Sequence, residues 1–198
     1  ITLQKTDGVT TTEQNLQITK TIDTRWGWSS NEITSLSDGA WTFTLTVEDA
    51  SGKIASAKYK VTVDTVAPVI SKPTLDFEMV ASSGWFNKNS GTISGSVTDA
   101  TSKVSNVLYL VTNERYYPDS DNNGSHTKLS TVAFDNALSL SENNFSKKHT
   151  FAEGLNYIYI KAIDNAGNVS YYGANGDVTC QIDTTVPKVE FVKPANGE

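Results

Sequence analysis

Most side chains in this sequence that could bind or react offer oxygen. From Asp119 to Gly124 the chain reads Asp119-Ser-Asp121-Asn-Asn123-Gly124, alternating carboxylate and carboxamide oxygens ahead of a glycine that permits a sharp bend. This matches the first half of a calcium loop, since Ca²⁺ takes roughly six to eight oxygen ligands in flexible geometry. The position corresponding to the bidentate Glu of an EF-hand holds Ser130, and no helical pattern flanks the stretch. The same residues therefore also read as a solvated hairpin loop rich in turn formers. Further carboxylates stand at turns. Asp49 precedes Gly52 by three positions and Asp164 precedes Gly167 by three, while Asp64 and Asp183 each open an Asp-Thr-x-x-Pro stretch. An Asp so placed can cap its own turn by accepting backbone N–H bonds, and that reading competes with metal binding at each of them.

Other chemistries lack their residues. His126 and His149 lie in polar surroundings remote from Cys180, and there is no Gly-x-Ser-x-Gly elbow or glycine-rich phosphate loop. The expectation is that the chain is not an enzyme. Cys180 is the only cysteine, so no internal disulfide forms; in an alternating segment it reads as a small buried apolar group. The net charge of −6 comes without a basic cluster that would displace counterions, which argues against nucleic acid. No apolar run approaches the roughly 20 residues of a membrane-spanning helix, so no membrane insertion is expected. Trp26, Trp28, Trp85, Tyr116, Tyr117, Tyr171 and Tyr172 offer rings for stacking on sugars. Among them Tyr116-Tyr117 and Tyr171-Tyr172 read as exposed pairs and Trp85 as a lid, whereas Trp41 reads as core.

The elements that carry these residues are organised by a repeat. The stretch from Leu36 to Pro68 returns from Phe151 to Pro187. Asp38-Gly39 matches Glu153-Gly154, ten positions after each Gly stands Asp49 or Asp164, and each copy closes on Asp-Thr and then Pro. A unit repeated head to tail with the same linker describes an array of domains. Within it, Trp41, Phe43, Leu45 and Val47 alternate with Thr42, Thr44, Thr46 and Glu48, a half-wet antiparallel strand over 40–48. A turn at Asp49–Lys53 leads to a second strand through Tyr59, Val61 and Val63. Period-2 patterns also mark Ile1–Lys5 and Leu16–Ile22, joined by a turn-rich connection at 7–15; Val104–Thr112 reads as a strongly apolar strand, 113–128 as a polar loop, and further strands are expected near 129–134 and 138–141. In the second copy, Ile158 and Ile160 are expected to face the core opposite Cys180 and Ile182. The fold class is all-β: tandem immunoglobulin-like Greek-key β-sandwiches. Residues 1–65 are expected to form a first Ig-like domain lacking its first strands, 66–187 a complete one with a long polar loop near 113–128, and 188–198 the start of a further repeat. Either the first domain is a cropped part of a longer array, or strands from a neighbouring chain complete it.

Three pieces in order carry a resemblance: Gly84-Trp85-Phe86-Asn87 before the segment to Val111, the Asp-Asn-Ala-Gly-Asn turn at 164–168, and the linkers VDTVAP and IDTTVP. Together they resemble the bacterial Ig-like repeats of large secreted and surface adhesins. The first copy departs by Ser-Gly-Lys at 51–53 and the second by its long polar loop at 113–128. The resemblance implies an extracellular or cell-surface spacer segment whose partners are neighbouring Ig-like repeats, with a host protein or glycan as a further ligand. Two other functions fit the composition, a carbohydrate- or protein-binding module and an accessory domain of a secreted polysaccharide-degrading enzyme.

Sandwich geometry adds one expectation about the acids. The chain leaves the last strand of one domain at the end opposite the preceding turn and enters the next beside its loops. Asp64 should then meet Asp99 and Asp164, and three carboxylates at one junction repel one another unless a cation such as Ca²⁺ neutralises them. Such an ion would stiffen the array, with Asp49 and Asp183 serving equivalent junctions.

Overall fold

The computed structural model describes residues 36–77, 84–174 and 176–190 in full, and residues 2–6, 11–15, 17–22 and 25–29 as backbone. The described chain is all-β, interrupted by one 3-10 turn at Leu129–Thr131. It divides into two compact units, one comprising Ile1–Pro68, Thr98–Ser105 and Ile163–Val169, the other Val69–Val97, Asn106–Ala162 and Ser170–Glu198.

The first unit contains β1 (Thr2–Thr6), β2 (Thr11–Asn15), β3 (Gln17–Ile22), β4 (Arg25–Ser29), β5 (Gly39–Glu48) and β6 (Ile54–Val63). One antiparallel sheet has the order β2-β1-β5-β6, and β3 pairs with β4 as a separate hairpin. Phe43 lies opposite Tyr59 and Leu45 opposite Ala57, so the apolar alternation of both strands shares one face. The connection expected over 7–15 contains β2, paired with β1 from Thr2–Asn15 to Thr6–Thr11. Its Thr-Thr-Glu-Gln-Asn sequence carries β-propensity in Thr without apolar alternation, the signal that periodicity relies on. Trp41 is buried, as expected, and its indole N–H donates to Ser37 O at 2.9 Å. Most of β6 is exposed, Ile54 and Tyr59 by 67% and 70%.

The second unit is an Ig-like Greek-key sandwich. Its strands, apart from the end residues 98, 104–105, 163–164 and 169 that cluster with the first unit, are β7 (Val69–Ile70), β8 (Thr74–Asp76), β9 (Trp85–Phe86), β10 (Ser90–Thr98), β11 (Val104–Thr112), β12 (Asn136–Ala137), β13 (Leu140–Ser141), β14 (Asn144–Thr150), β15 (Gly154–Asp164), β16 (Val169–Tyr172) and β17 (Thr179–Ile182). One sheet runs β13-β14-β10-β7, with β8 also on β10; the other runs β12-β11-β15-β17-β9, with β16 also on β15. Ile93, Val97, Val107, Phe145, Ile158, Ile160, Cys180 and Ile182 fill the space between them. Ile158 and Ile160 are buried on the expected face of β15, but the expected pairing is corrected: Cys180 lies opposite Asn156 and Ile182 opposite Gly154, because β17 pairs only with the start of β15. Cys180 is buried, and that burial pushes its thiol pKa up to about 12.

The other face of β15 is covered too. Tyr159 packs with Leu129 and Phe134, and Leu108, Leu110, Tyr116, Tyr157, Tyr171 and Ala174 surround them. The hydroxyl of Tyr159 accepts the Tyr116 N–H at 2.8 Å and donates to Glu114 O at 3.2 Å, while burial raises its pKa to about 12. The stretch expected to be a plain polar loop is thus pinned at both ends. The strand expected over 129–134 is instead the 3-10 turn plus Phe134, because Leu129 and Phe134 plug a second small core rather than lining one strand. Likewise 138–141 shortens to Leu140–Ser141.

Candidate metal centre

Asp64, Asp99 and Asp164 come together. One carboxylate oxygen from each lies within 4.8 Å of the others, with Asp64 and Asp164 buried and Asp99 half-buried. All three belong to the first compact unit, which includes the turns at 98–105 and 163–169.

Each side chain is set by its own turn. Asp99 Oδ1 accepts the N–H groups of Thr101 and Lys103 at 3.2 and 2.7 Å, and Asp164 Oδ1 those of Ala166 and Asn168, both at 2.8 Å. Asp49 in the first copy repeats the pattern with Ser51 and Lys53, at 2.8 and 2.9 Å. The turn-capping reading is therefore correct for the Oδ1 atoms. It leaves the second oxygens to be placed. Asp64 Oδ1 takes the Val66 N–H at 3.1 Å and its Oδ2 the Ser102 N–H at 3.0 Å. Ser102 holds the Asp64 carboxyl below the usual carboxylate range. Asp164 Oδ2 accepts Asn168 Nδ2 at 2.8 Å, and the same nitrogen donates to Asp64 O at 3.0 Å.

Two asparagines that the motif reading passed over do the fastening. Asn168 bridges Asp164 and the Asp64 carbonyl, and Asn165 Nδ2 reaches Ser102 O and Lys103 O at 2.8 and 3.0 Å. The signal was present in the contrast between the two turns, since Ala50 and Lys53 occupy the corresponding places in the first copy. A lysine or alanine there supplies no amide to donate twice.

The donor set suits a hard cation. It is all oxygen, without nitrogen or sulfur, which favours Ca²⁺ over zinc. Among the described residues no Lys or Arg forms an ion pair with these carboxylates.

The other expected oxygens do not gather. Asp119 Oδ1 accepts from the Ser130 hydroxyl at 2.6 Å. Asp121 Oδ1 accepts the Asn123 N–H at 2.8 Å, and its Oδ2 lies 2.6 Å from His126 Nδ1. Asn123 Oδ1 accepts the Ser125 N–H at 3.0 Å. These contacts caused by the loop itself account for the residue types there. Asp183 Oδ1 caps its own turn through the Thr185 N–H at 2.9 Å. The tyrosine pairs read as exposed are half-buried, Tyr116 and Tyr171 against the second core. Trp85, read as a lid, is 43% exposed. His149 is not in polar surroundings; it packs against Phe151 and Tyr109. The side chains of Trp26 and Trp28, and residues 191–198 of the expected further repeat, lie outside the described residues.

No protein-family model matches this chain, and no curated protein matches it. Among solved structures, fibronectin(III)-like modules of Clostridium thermocellum CbhA are similar to it, with 15% sequence identity, a TM-score of 0.41, and coverage of 97% of this chain and 83% of that one.

Proposed function

We propose that this chain is a structural spacer segment of an extracellular or cell-surface multi-repeat adhesin or fibre, and that Ca²⁺ held by Asp64, Asp99 and Asp164 fixes the end of β6 to the two neighbouring turns. The observation that carries the calcium is the convergence of three carboxylates that, among the described residues, have no Lys or Arg ion-pair partner. Negative groups this close repel strongly in a partly buried site, and a divalent ion converts the repulsion into a crosslink. The spacer reading is supported by the duplicated linker anchor. Asp38 accepts both the N–H and the hydroxyl of Thr65, and Glu153 accepts both from Thr184, so the two copies hold their exits alike.

Calcium titration after chelation tests the metal. Binding of a ligand at a hundredfold excess over Kd stabilises the folded state by about 2.7 kcal/mol, which raises the melting temperature of a chain this size by roughly 5–10 °C. Asp99→Asn keeps an oxygen for its turn and removes one charge, so it should abolish most of that rise. An unchanged melting temperature, with no heat on titration, would leave turn capping as the whole role of these residues.

A further inference from the structure

We infer that the loop residues Asp121, Asn123, Gly124, Ser125 and His126 form a self-modifying site, in which Asn123 cyclises onto Gly124 and is converted to aspartate and isoaspartate. The inference is independent of the calcium reading, and it rests on how the carboxamide of Asn123 is held.

Asn-Gly is the dipeptide in which a backbone nitrogen meets the least steric resistance to attack on the preceding side chain. Here the setting goes further. Asn123 Oδ1 accepts the Ser125 N–H at 3.0 Å, which polarises the carbonyl and would stabilise the oxyanion as Cγ becomes tetrahedral. Asn123 Nδ2 lies 3.2 Å from His126 Nε2. The imidazole is fixed on its far side by Asp121 Oδ2, 2.6 Å from Nδ1, and its ring stacks on Tyr117 with centroids 3.7 Å apart. With Nδ1–H donating to Asp121, Nε2 is the acceptor that faces the carboxamide N–H. The backbone is held as well, by the Asn123 N–H on Asp121 Oδ1 at 2.8 Å and the His126 N–H on Asn123 O at 3.0 Å. The attacking group is left free. Among the described residues the Gly124 N–H has no acceptor, both residues are exposed, and a Cβ built on Gly124 would meet nothing within 4 Å.

The step balances without a co-reactant other than water. Gly124 N bonds to Cγ of Asn123, the Cγ–Nδ2 bond breaks, and the proton lost from Gly124 N leaves with Nδ2 as ammonia, relayed by the imidazole or by water. Water then opens the five-membered imide at either carbonyl, giving aspartate or isoaspartate. The product adds one negative charge beside Asp121, and the isoaspartate route adds a carbon to the backbone path. The loop thus carries an irreversible mark of age.

The sequence supplies its own references, because Asn175-Gly176 and Asn196-Gly197 are the same dipeptide. Incubate the full chain in neutral buffer and follow the gain of one mass unit at each site by peptide mapping. Asn123 should convert roughly tenfold faster than Asn196, less than the roughly hundredfold or more that one positioned proton-transfer or oxyanion group contributes in an enzyme, since this site is open to water. Concentrated urea should bring all three sites to similar rates. His126→Phe keeps a ring to stack on Tyr117 but has no nitrogen, and should slow Asn123 to the rate of Asn196 without changing the other sites. Ser125→Pro, which removes the donor to Oδ1, should slow it too. Conversion at Asn123 no faster in the native chain than in urea would overturn the inference, as would a parental rate in His126→Phe.

Discussion

Two copies of one hairpin end up in different environments. In β15 of the second copy Asn156, Ile158, Tyr159, Ile160, Ala162 and Asp164 are all buried, and residues of both faces are among them. In β5 of the first copy Trp41 is the buried residue, and Val47 is 39% exposed. The local instructions are nevertheless shared. Both hairpins turn on an Asp whose Oδ1 takes N–H groups two and four residues on, and both exits are tied by Thr to the acid before the first strand. Turn chemistry and alternation specify a strand and its register, but burial depends on what packs against it. For β15 that is a second sheet on one face and the pinned 113–135 stretch on the other.

The contrast predicts unequal costs for equal truncations. Ile160→Ala opens a cavity in a fully buried site and should cost about 2–5 kcal/mol, the range for such deletions. Leu45→Ala, in the half-buried counterpart, should cost well under half as much, since less area leaves water there. Denaturant midpoints of the two variants decide the matter, and equal shifts would show that β5 is as well covered as β15.

A narrower form of the same comparison uses hydroxyls. Tyr159→Phe takes the hydroxyl from the N–H of half-buried Tyr116 and the carbonyl of exposed Glu114, a loss of about 0.5–1.5 kcal/mol per bond. Tyr59 in β6 is 70% exposed, and Tyr59→Phe should leave the midpoint in place. If Tyr159→Phe is also silent, the stretch from 113 is not held as described, and amide exchange of Tyr116 would show it opening.

Acid should weaken the second unit through His149. Burial first, and the nearby Lys147 charge second, push its pKa below the ordinary histidine value, and its Nδ1 lies 3.4 Å from the Tyr109 hydroxyl. Above about pH 6.5 both folded and unfolded chains hold a neutral ring and the effect vanishes. Below that the unfolded chain takes a proton that the folded chain resists, so stability falls and then levels once pH passes the depressed folded value. His149→Phe, which suits the rings of Phe151 and Tyr109, should flatten this part of the stability profile. A slope unchanged by the substitution would mean that another group titrates there.

What the sequence disclosed follows the same division. The hairpins, the linkers and the meeting of Asp64 with Asp99 and Asp164 were legible, because alternation, turn residues and sandwich connectivity are local or topological facts. The role of Asn168 was not, since its amide donates to a carbonyl 104 residues away and nothing at that spacing marks it. The second core was hidden for a similar reason: Leu129 and Phe134, five positions apart, would point to opposite faces of a strand, and the turn between them brings both into one cluster. Tyr159 was misleading in another way, since it occupies the face that a half-wet strand gives to solvent.

The smallest expected effect concerns the two turn acids themselves. Asp49 is held below the usual carboxylate range by the Ser51 hydroxyl first, at 2.7 Å from Oδ1, and then by the N–H groups of Lys53 and Ser51. Because its folded pKa is depressed, whatever it contributes is present above the ordinary carboxylate value and is lost as pH falls through the lower folded one. Solvent screens so exposed a group, so global stability should barely respond. The titration itself is measurable from the carboxyl carbon of Asp49 by NMR. Ser51→Ala should raise its midpoint part of the way toward the ordinary value, since the backbone donors remain. The second copy has Ala166 at that position, and there Asn168 Nδ2 donates to the other carboxylate oxygen at 2.8 Å. Adding Lys53→Asn to Ser51→Ala should therefore lower the Asp49 midpoint again, if a side-chain amide at this place in the turn is sufficient. A midpoint unmoved by Ser51→Ala would mean that the backbone alone sets the acid, and that the two turns differ only in what their asparagines reach beyond the turn.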